Sequence, residues 1–312
     1  MINGIILWAI VFAGSLFFVI KGADWFTKGA EMLALRLGVS KWVIGLTLVA
    51  IGTSIPELFT SLMAALQGQT EIAAANVVGS NIANILLIIG LSTIVAKRVI
   101  IERDLIDIDL PFFAATTAML IAVLWGGTVS RVEGLLCVVA LGVYLFYAAS
   151  LRREEFAKKD IEKDGSWKIA LLVLGGLALL IVSSKYTVDA LIKLGELLNI
   201  YPGLISITAL SIGTSLPELM VSLVAAKRGS FDLSISNIIG SNIFNSVGVI
   251  GIVALVTPIS AGPTVLAAGI GFLIAASALF IISCLSKKIH IWEGLLFVLL
   301  YVLFIAKLFN LF

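Results

Sequence analysis

The sequence predicts an all-α membrane protein: ten transmembrane helices arranged as two inverted five-helix repeats, with broken helices at the midplane. Three observations carry that prediction. Hydrophobic residues make up 60% of the 312-residue chain and charged ones 13%, at a mean hydropathy of +1.14, well past the apolar share of a soluble domain. Apolar runs of about 20 residues, the length that crosses a hydrocarbon core of about 30 Å as helix, recur along the whole chain. The second half also repeats the polar motif of the first at the same place in its own series of runs.

Taken in order, the first run, 2–20, lacks a basic leading segment and reads as a retained helix rather than a cleaved signal peptide. Runs at 42–66, 72–95, 108–125 and 134–150 complete a first repeat, 1–151. A mixed-charge stretch, 152–166, is too short to fold alone and serves as a linker. Runs at 167–185, 202–226, 234–257, 264–285 and 291–310 make up the second repeat, 167–312. No soluble catalytic or regulatory domain is expected. The partners expected are ions and the lipid bilayer, with no nucleic acid, and the chain is expected to function as a monomer.

Of the 21 Lys and Arg, all but Arg131, Lys185, Lys193 and Lys307 fall in the odd-numbered loops. Under the positive-inside rule those loops and the central linker are cytoplasmic, and both termini lie outside. Trp42, Trp125, Trp167 and Trp292 sit near run ends, as interfacial aromatics do. Cys137 and Cys284 fall within apolar runs and read as small buried hydrophobes, with no disulfide and no metal site assigned.

At an offset of 161, Ile51-Gly52-Thr53-Ser54 meets Ile212-Gly213-Thr214-Ser215, and Pro56-Glu57-Leu58 meets Pro217-Glu218-Leu219. Without a gap, Asn76 then meets Asn237, Gly79-Ser80-Asn81-Ile82 meets Gly240-Ser241-Asn242-Ile243, and Asn84 meets Asn245. Each half holds an odd number of spans, so the second half crosses the membrane in the opposite sense. Such inverted repeats place a shared site near the midplane that can open to either side.

Of the 19 acidic residues, only Glu57 and Glu218 fall deep within a run, and they are repeat mates. A charge at bilayer depth costs at least about 2.5 to 3.5 kcal/mol, and no Lys or Arg lies at that depth to offset it. The missing positive charge is then a bound cation or protons. Pro56 and Pro217 remove helix donors and free the carbonyls of Gly52 and Gly213, and broken helices at such depth line ion sites in other inverted-repeat transporters. Thr53, Ser54, Thr214 and Ser215 add hydroxyls. In the following runs Asn76, Ser80 and Asn84 share one helical stripe, as do Asn237, Ser241 and Asn245. An all-oxygen set suits a hard cation such as Ca2+ and disfavours softer metals.

Plainer readings compete. Ser54-Ile55-Pro56-Glu57 and Ser215-Leu216-Pro217-Glu218 fit capping boxes, with Glu serving only as a cap. Gly79 and Gly240 read as sites of close helix packing. Asn81 and Asn242 lie off the stripe of Asn84 and Asn245 and fit either helix-to-helix hydrogen bonding or the site. His290 reads as a solvated loop residue.

At these residues the chain resembles the Ca2+/cation antiporter superfamily, and within it the sodium/calcium exchangers of archaea and bacteria. Gly52 to Glu57 and Gly213 to Glu218 resemble the family's two alpha-repeat signatures, here about 44–86 and 205–247. Gly79 to Asn84 and Gly240 to Asn245 resemble their second halves. The resemblance implies a secondary active antiporter, not an enzyme, that needs no cofactor. It would exchange Ca2+ for Na+ across the cell membrane by alternating access. It implies a calcium site of Glu57, Glu218, Thr53 and Thr214. Sodium sites beside it would draw on Ala50, Ser54, Ser80, Ser211, Ser215, Ser241, Asn84 and Asn245. Some archaeal relatives carry Asp where this chain has Asn245, so this site has one fewer titratable group. The proton/calcium branch usually shows Asn-Ala where Thr53-Ser54 and Thr214-Ser215 stand, which favours sodium.

Two carboxylates about 5 Å apart repel by roughly 3 kcal/mol at an effective dielectric of 20. The empty site should therefore resist occlusion, whereas one Ca2+, several Na+ or two H+ neutralise it and let it cross, and protons should compete with calcium. The alternatives are exchange of Ca2+ for H+, or K+-dependent exchange, at the same site. From other classes come a channel, which would show flux without a counter-ion, and an intramembrane protease, which would need paired Asp where none sits mid-span.

Overall fold

The computed structural model describes residues 2–96, 98–100, 108–150, 166–198 and 213–308. Ser211, nearly all of the expected linker and residues 202–212 of the expected seventh span lie outside the described residues. The described residues form ten helices. These are α1 (Ile2–Leu37), α2 (Lys41–Leu66), α3 (Thr70–Ala96), α4 (Leu110–Trp125), α5 (Arg131–Ser150), α6 (Trp167–Leu197), α7 (Leu216–Lys227), α8 (Phe231–Val256), α9 (Val265–Leu285) and α10 (Ile291–Leu308). All but α4 and α7 are long and apolar enough to cross a membrane.

Burial sorts these helices into a centre and a periphery. The apolar windows of α3 and α8 are 78% and 89% buried, against 11% for α1 and 28% for α5 and α10. Peripheral helices turn large side chains such as Leu136, Val139, Phe146, Leu299 and Val302 outward. A helix that is apolar all round needs either such a lipid-like surround or a protein core. The motif-bearing helices α3 and α8 take the core because their Asn and Ser side chains need partners.

Two helices run well past the expected ends. α1 continues from 20 to Leu37 and α6 from 185 to Leu197, so Lys21, Lys28, Arg36, Lys185 and Lys193 stand on helices rather than in loops. The apolar run stops at the first charges, but the helical period does not: Val19, Ala23, Phe26, Ala30 and Ala34 form a buried stripe through the charged stretch, spaced three or four apart as one helix face requires. α1 and α6 cross with their backbones in contact. A Cβ on Gly22 would stand 2.7 Å from the Leu180 amide nitrogen, and one on Gly176 would stand 2.6 Å from that of Phe26.

The helix break is shallower than the sequence suggests. α2 leaves helical geometry at the single residue Ser54 (φ −86°, ψ 5°) and resumes over Ile55–Leu66, while Ser215 repeats that conformation (φ −86°, ψ 7°) before α7. Proline sits in the first turn of each resumed helix, where its missing N–H costs nothing inside that helix but leaves the carbonyl four residues back without its donor. Wider π-turns interrupt α2 over Gly45–Val49, α3 over Asn84–Ile89 and α8 over Phe244–Val249. Such turns often mark functional sites.

Two short ribbons depart from an all-helical expectation. β1 (Arg98–Ile100) pairs antiparallel with β4 (Lys288–His290), and β2 (Thr128–Val129) with β3 (Ile259–Ser260). Each ties one half of the chain to the other. His290 is exposed, as expected, but belongs to β4 rather than to a loop.

Candidate ion-binding site

α2 and α7 each deliver a glutamate in the first turn after the break, and both carboxylates are 0% exposed. The two halves complete each other reciprocally. The Ser54 hydroxyl donates to Glu218 Oε1 at 2.8 Å, and that of Ser215 donates to Glu57 Oε1 at 3.3 Å. Neither serine makes a side-chain cap bond to its own helix, so the capping-box reading fails: the hydroxyls serve the opposite repeat. What the glutamates gain from their own helices is the positive end of the helix dipole, which favours an anion in the first turn.

Among the described residues, the second oxygen of each carboxylate has no hydrogen-bond partner. Glu57 Oε2 and Glu218 Oε2 are buried and unbonded, as are Oδ1 of Asn84 and both carboxamide atoms of Asn245. Buried polar atoms are normally satisfied, so a set of bare oxygens from both repeats marks a place built for something that accepts their lone pairs. Among the described residues no Lys, Arg or His pairs with either glutamate, and no group of three or more His, Cys, Asp or Glu comes together.

A layer of hydroxyls and amides surrounds the pair. Thr53 Oγ1 lies 3.0 Å from the Val49 carbonyl, 3.3 Å from that of Ala50 and 3.4 Å from Asn237 Oδ1. Its mate Thr214 donates to Asn76 Oδ1 at 3.2 Å and stands 3.5 Å from Ser80 Oγ. Ser241 donates to the Ala50 carbonyl at 3.4 Å. Asn76 and Asn237 use their amides to hold the glutamate helices, donating to Ser61 and Ser222 at 3.0 Å each. Behind the breaks, a Cβ on Gly52 would meet Leu177 and Phe26 at 3.3 Å, and one on Gly213 would meet Val188 at 2.9 Å.

Several side chains resolve otherwise than by stripe alone. Asn81 donates to Ser246 Oγ at 2.8 Å and to the Asn242 carbonyl at 3.4 Å, and Asn84 donates to Asn242 Oδ1 at 3.3 Å. Asn81 and Asn242 thus bond α3 to α8. Ser246 has Ile85 as its repeat mate, so repetition carries no signal there. Gly240 is a close contact, with a Cβ there falling 2.4 Å from the Leu46 carbonyl, but Gly79 has nothing within 4 Å, which corrects the packing role expected of it. Trp42, near the start of α2, is partly buried and donates to Asp109 at 2.7 Å.

A cavity of about 500 Å³ between α2, α6 and α7 reaches this constellation. Pro56, Thr214 and Pro217 line it beside the helix breaks, together with Lys185, Asp189 and Ile192 of α6.

Comparison with known proteins agrees with this architecture. Residues 7–150 and 168–310 match the family model described as sodium/calcium exchanger protein. The sodium/calcium exchanger MaX1 of Methanosarcina acetivorans is 32% identical, over 94% of this chain and 96% of its own. Inner membrane protein YrbG of Escherichia coli is 33% identical, over 86% of each chain. A solved structure of the sodium-calcium exchanger NCX_Mj, soaked with Na+ and no Ca2+, superposes at a TM-score of 0.86 with 32% identity, covering 97% of this chain and 99% of that one. On the matched motifs, the length of the match and the shared fold, the chain belongs to the sodium/calcium exchanger family of multi-pass membrane antiporters.

Proposed function

We propose that this protein exchanges Ca2+ for Na+ across the cell membrane by alternating access, with calcium held between Glu57 and Glu218. The observation that carries the reading is the pair of buried carboxylates, each with one bare oxygen and, among the described residues, no protein cation to balance it. Two negative charges and neutral oxygens on all sides suit a hard divalent ion. Thr53, Thr214 and the Gly52 and Gly213 carbonyls complete its shell. Sodium takes the flanking oxygens of Ala50, Ser54, Ser80, Ser211, Ser215, Ser241, Asn84 and Asn245. Calcium and sodium compete because they neutralise the same pair, and protons compete for the same reason.

The two halves, 1–151 and 167–312, act as inverted repeats about this site, with both termini outside and 152–166 in the cytoplasm. On that orientation the cavity beside α6 opens outward, and the form described is outward-facing. All site residues come from one chain, so a monomer suffices. The test is calcium uptake into proteoliposomes under an imposed Na+, K+ or pH gradient. A sodium gradient should drive calcium against its own gradient while the others alone do not. Uptake driven by the pH gradient alone would instead make the protein a proton/calcium exchanger.

A further inference from the structure

The geometry points to a charge latch at the cytoplasmic end of α1 that decides which side of the membrane presents the site. Asp24 and Glu31 grip Arg228 and Ser230 at the α7–α8 turn and Lys41 at the start of α2. The inference rests on the alternating-access reading above.

The grip is extensive and joins distant parts of the chain. Arg228 Nη2 donates to Asp24 Oδ1 across 204 residues of sequence, and Arg228 Nη1 lies 3.7 Å from Glu31 Oε2. Lys41 Nζ bonds Glu31 Oε1 at 2.9 Å and Ser230 Oγ at 3.1 Å, and Ser230 also donates to Glu31. Two carboxylates thus meet two cations, and a serine hydroxyl bridges them. In the proposed orientation all five residues lie at the end opposite the cavity, so α1 is pinned there to α2 and to the α7–α8 hairpin.

The repeat shows that this pinning is one-sided. Offset by 161, Asp24 corresponds to Lys185, Glu31 to Ile192, Arg228 to Gln67, Ser230 to Gln69 and Lys41 to Pro202. Not one charge pair survives the exchange. Lys185 and Ile192, where the carboxylates would have to stand, line the open cavity instead. Two repeats of like fold would otherwise weigh the two faces about equally, and this cluster at one face tilts the ion-free protein toward the outward-facing form. A ligand or contact shifts such an equilibrium only by its differential between the two states. Partly exposed pairs are individually weak, so losing one should move the balance by roughly 1.4- to 5-fold.

The test labels Ile192→Cys from outside with a membrane-impermeant maleimide in ion-free buffer. Both native cysteines, Cys137 and Cys284, are buried and contribute little background. Arg228→Gln should lower the outward-facing fraction towards one half and so slow labelling by up to about 1.7-fold, while Arg228→Lys and the swap Asp24→Arg with Arg228→Asp should restore it. Sided calcium uptake by Arg228→Gln should show a higher outer KM and a lower inner KM, with kcat less affected. Lys41→Gln and Glu31→Gln give the same readout if Arg228→Gln does not fold. Unchanged labelling in folded latch variants overturns the inference, as does a loss that neither Lys nor the swap rescues. Slowed and rescued labelling in a protein that fails sodium-driven calcium exchange would sink the exchange reading and leave the latch standing.

Discussion

At the scale of the residue, the decisive feature is the division of labour within each carboxylate. One oxygen of Glu57 and of Glu218 is held by a serine of the opposite repeat, and the other is bare. The serines orient the side chains, and the bare oxygens are left to the proposed ion. Replacing Glu57 or Glu218 with Gln keeps the shape and the serine bond but removes half of the site's charge. Either change should abolish sodium-driven calcium uptake in vesicles; normal flux after either would refute the site. Folding gives an independent readout. Calcium at 100 times its Kd should stabilise the native protein by about 2.7 kcal/mol, seen as a higher melting temperature in detergent. The Gln variants should lose that rise while their ion-free melting temperature stays level or climbs, since mutual repulsion is relieved. The carboxylates were legible in the sequence because nothing else acidic stands mid-run. The serine crossings were not, because a capping box and a cross-repeat bond use the same residues.

At the scale of the element, repeat mates need not share a role, because identical residues on α3 and α8 pack against different neighbours. Gly240 abuts the π-turn of α2, where a Cβ would stand 2.4 Å from the Leu46 carbonyl and 2.7 Å from Ala50 Cβ, whereas its mate Gly79 faces open space. Gly240→Ala should therefore destabilise by about 1 to 3 kcal/mol through overpacking. Because the helix must move off Ala50, it should also weaken calcium exchange. Gly79→Ala should be neutral within about 0.5 kcal/mol. Thermal unfolding of the two variants side by side checks the contrast, and equal losses would contradict it. Helix ends tell a similar story. Apolar length placed the spans but stopped α1 and α6 short, because a hydropathy run ends at its first charges while the buried stripe of Ala23, Phe26, Ala30 and Ala34 carries the helix on.

At the scale of the whole molecule, the halves are bound through the site rather than merely beside it. Ser54 with Glu218, Ser215 with Glu57, Thr53 with Asn237 and Thr214 with Asn76 all cross between repeats, and both β-ribbons do the same. If the chain is split within 152–166, the two halves expressed together should reconstitute sodium-driven calcium uptake. Either half alone should show no calcium-dependent rise in melting temperature, and a rise in one half would place the ion elsewhere. By itself the sequence determined the membrane class, the repeat, the carboxylate pair and the oxygen chemistry around it, because each is written in local composition or in self-similarity at a fixed offset. Only the tertiary structure decided which serine serves which glutamate, that Asn81 reaches Ser246, and that Arg228 meets Asp24. Those contacts join residues more than 150 positions apart, and their partners are chosen by how the helices pack, which no local pattern encodes.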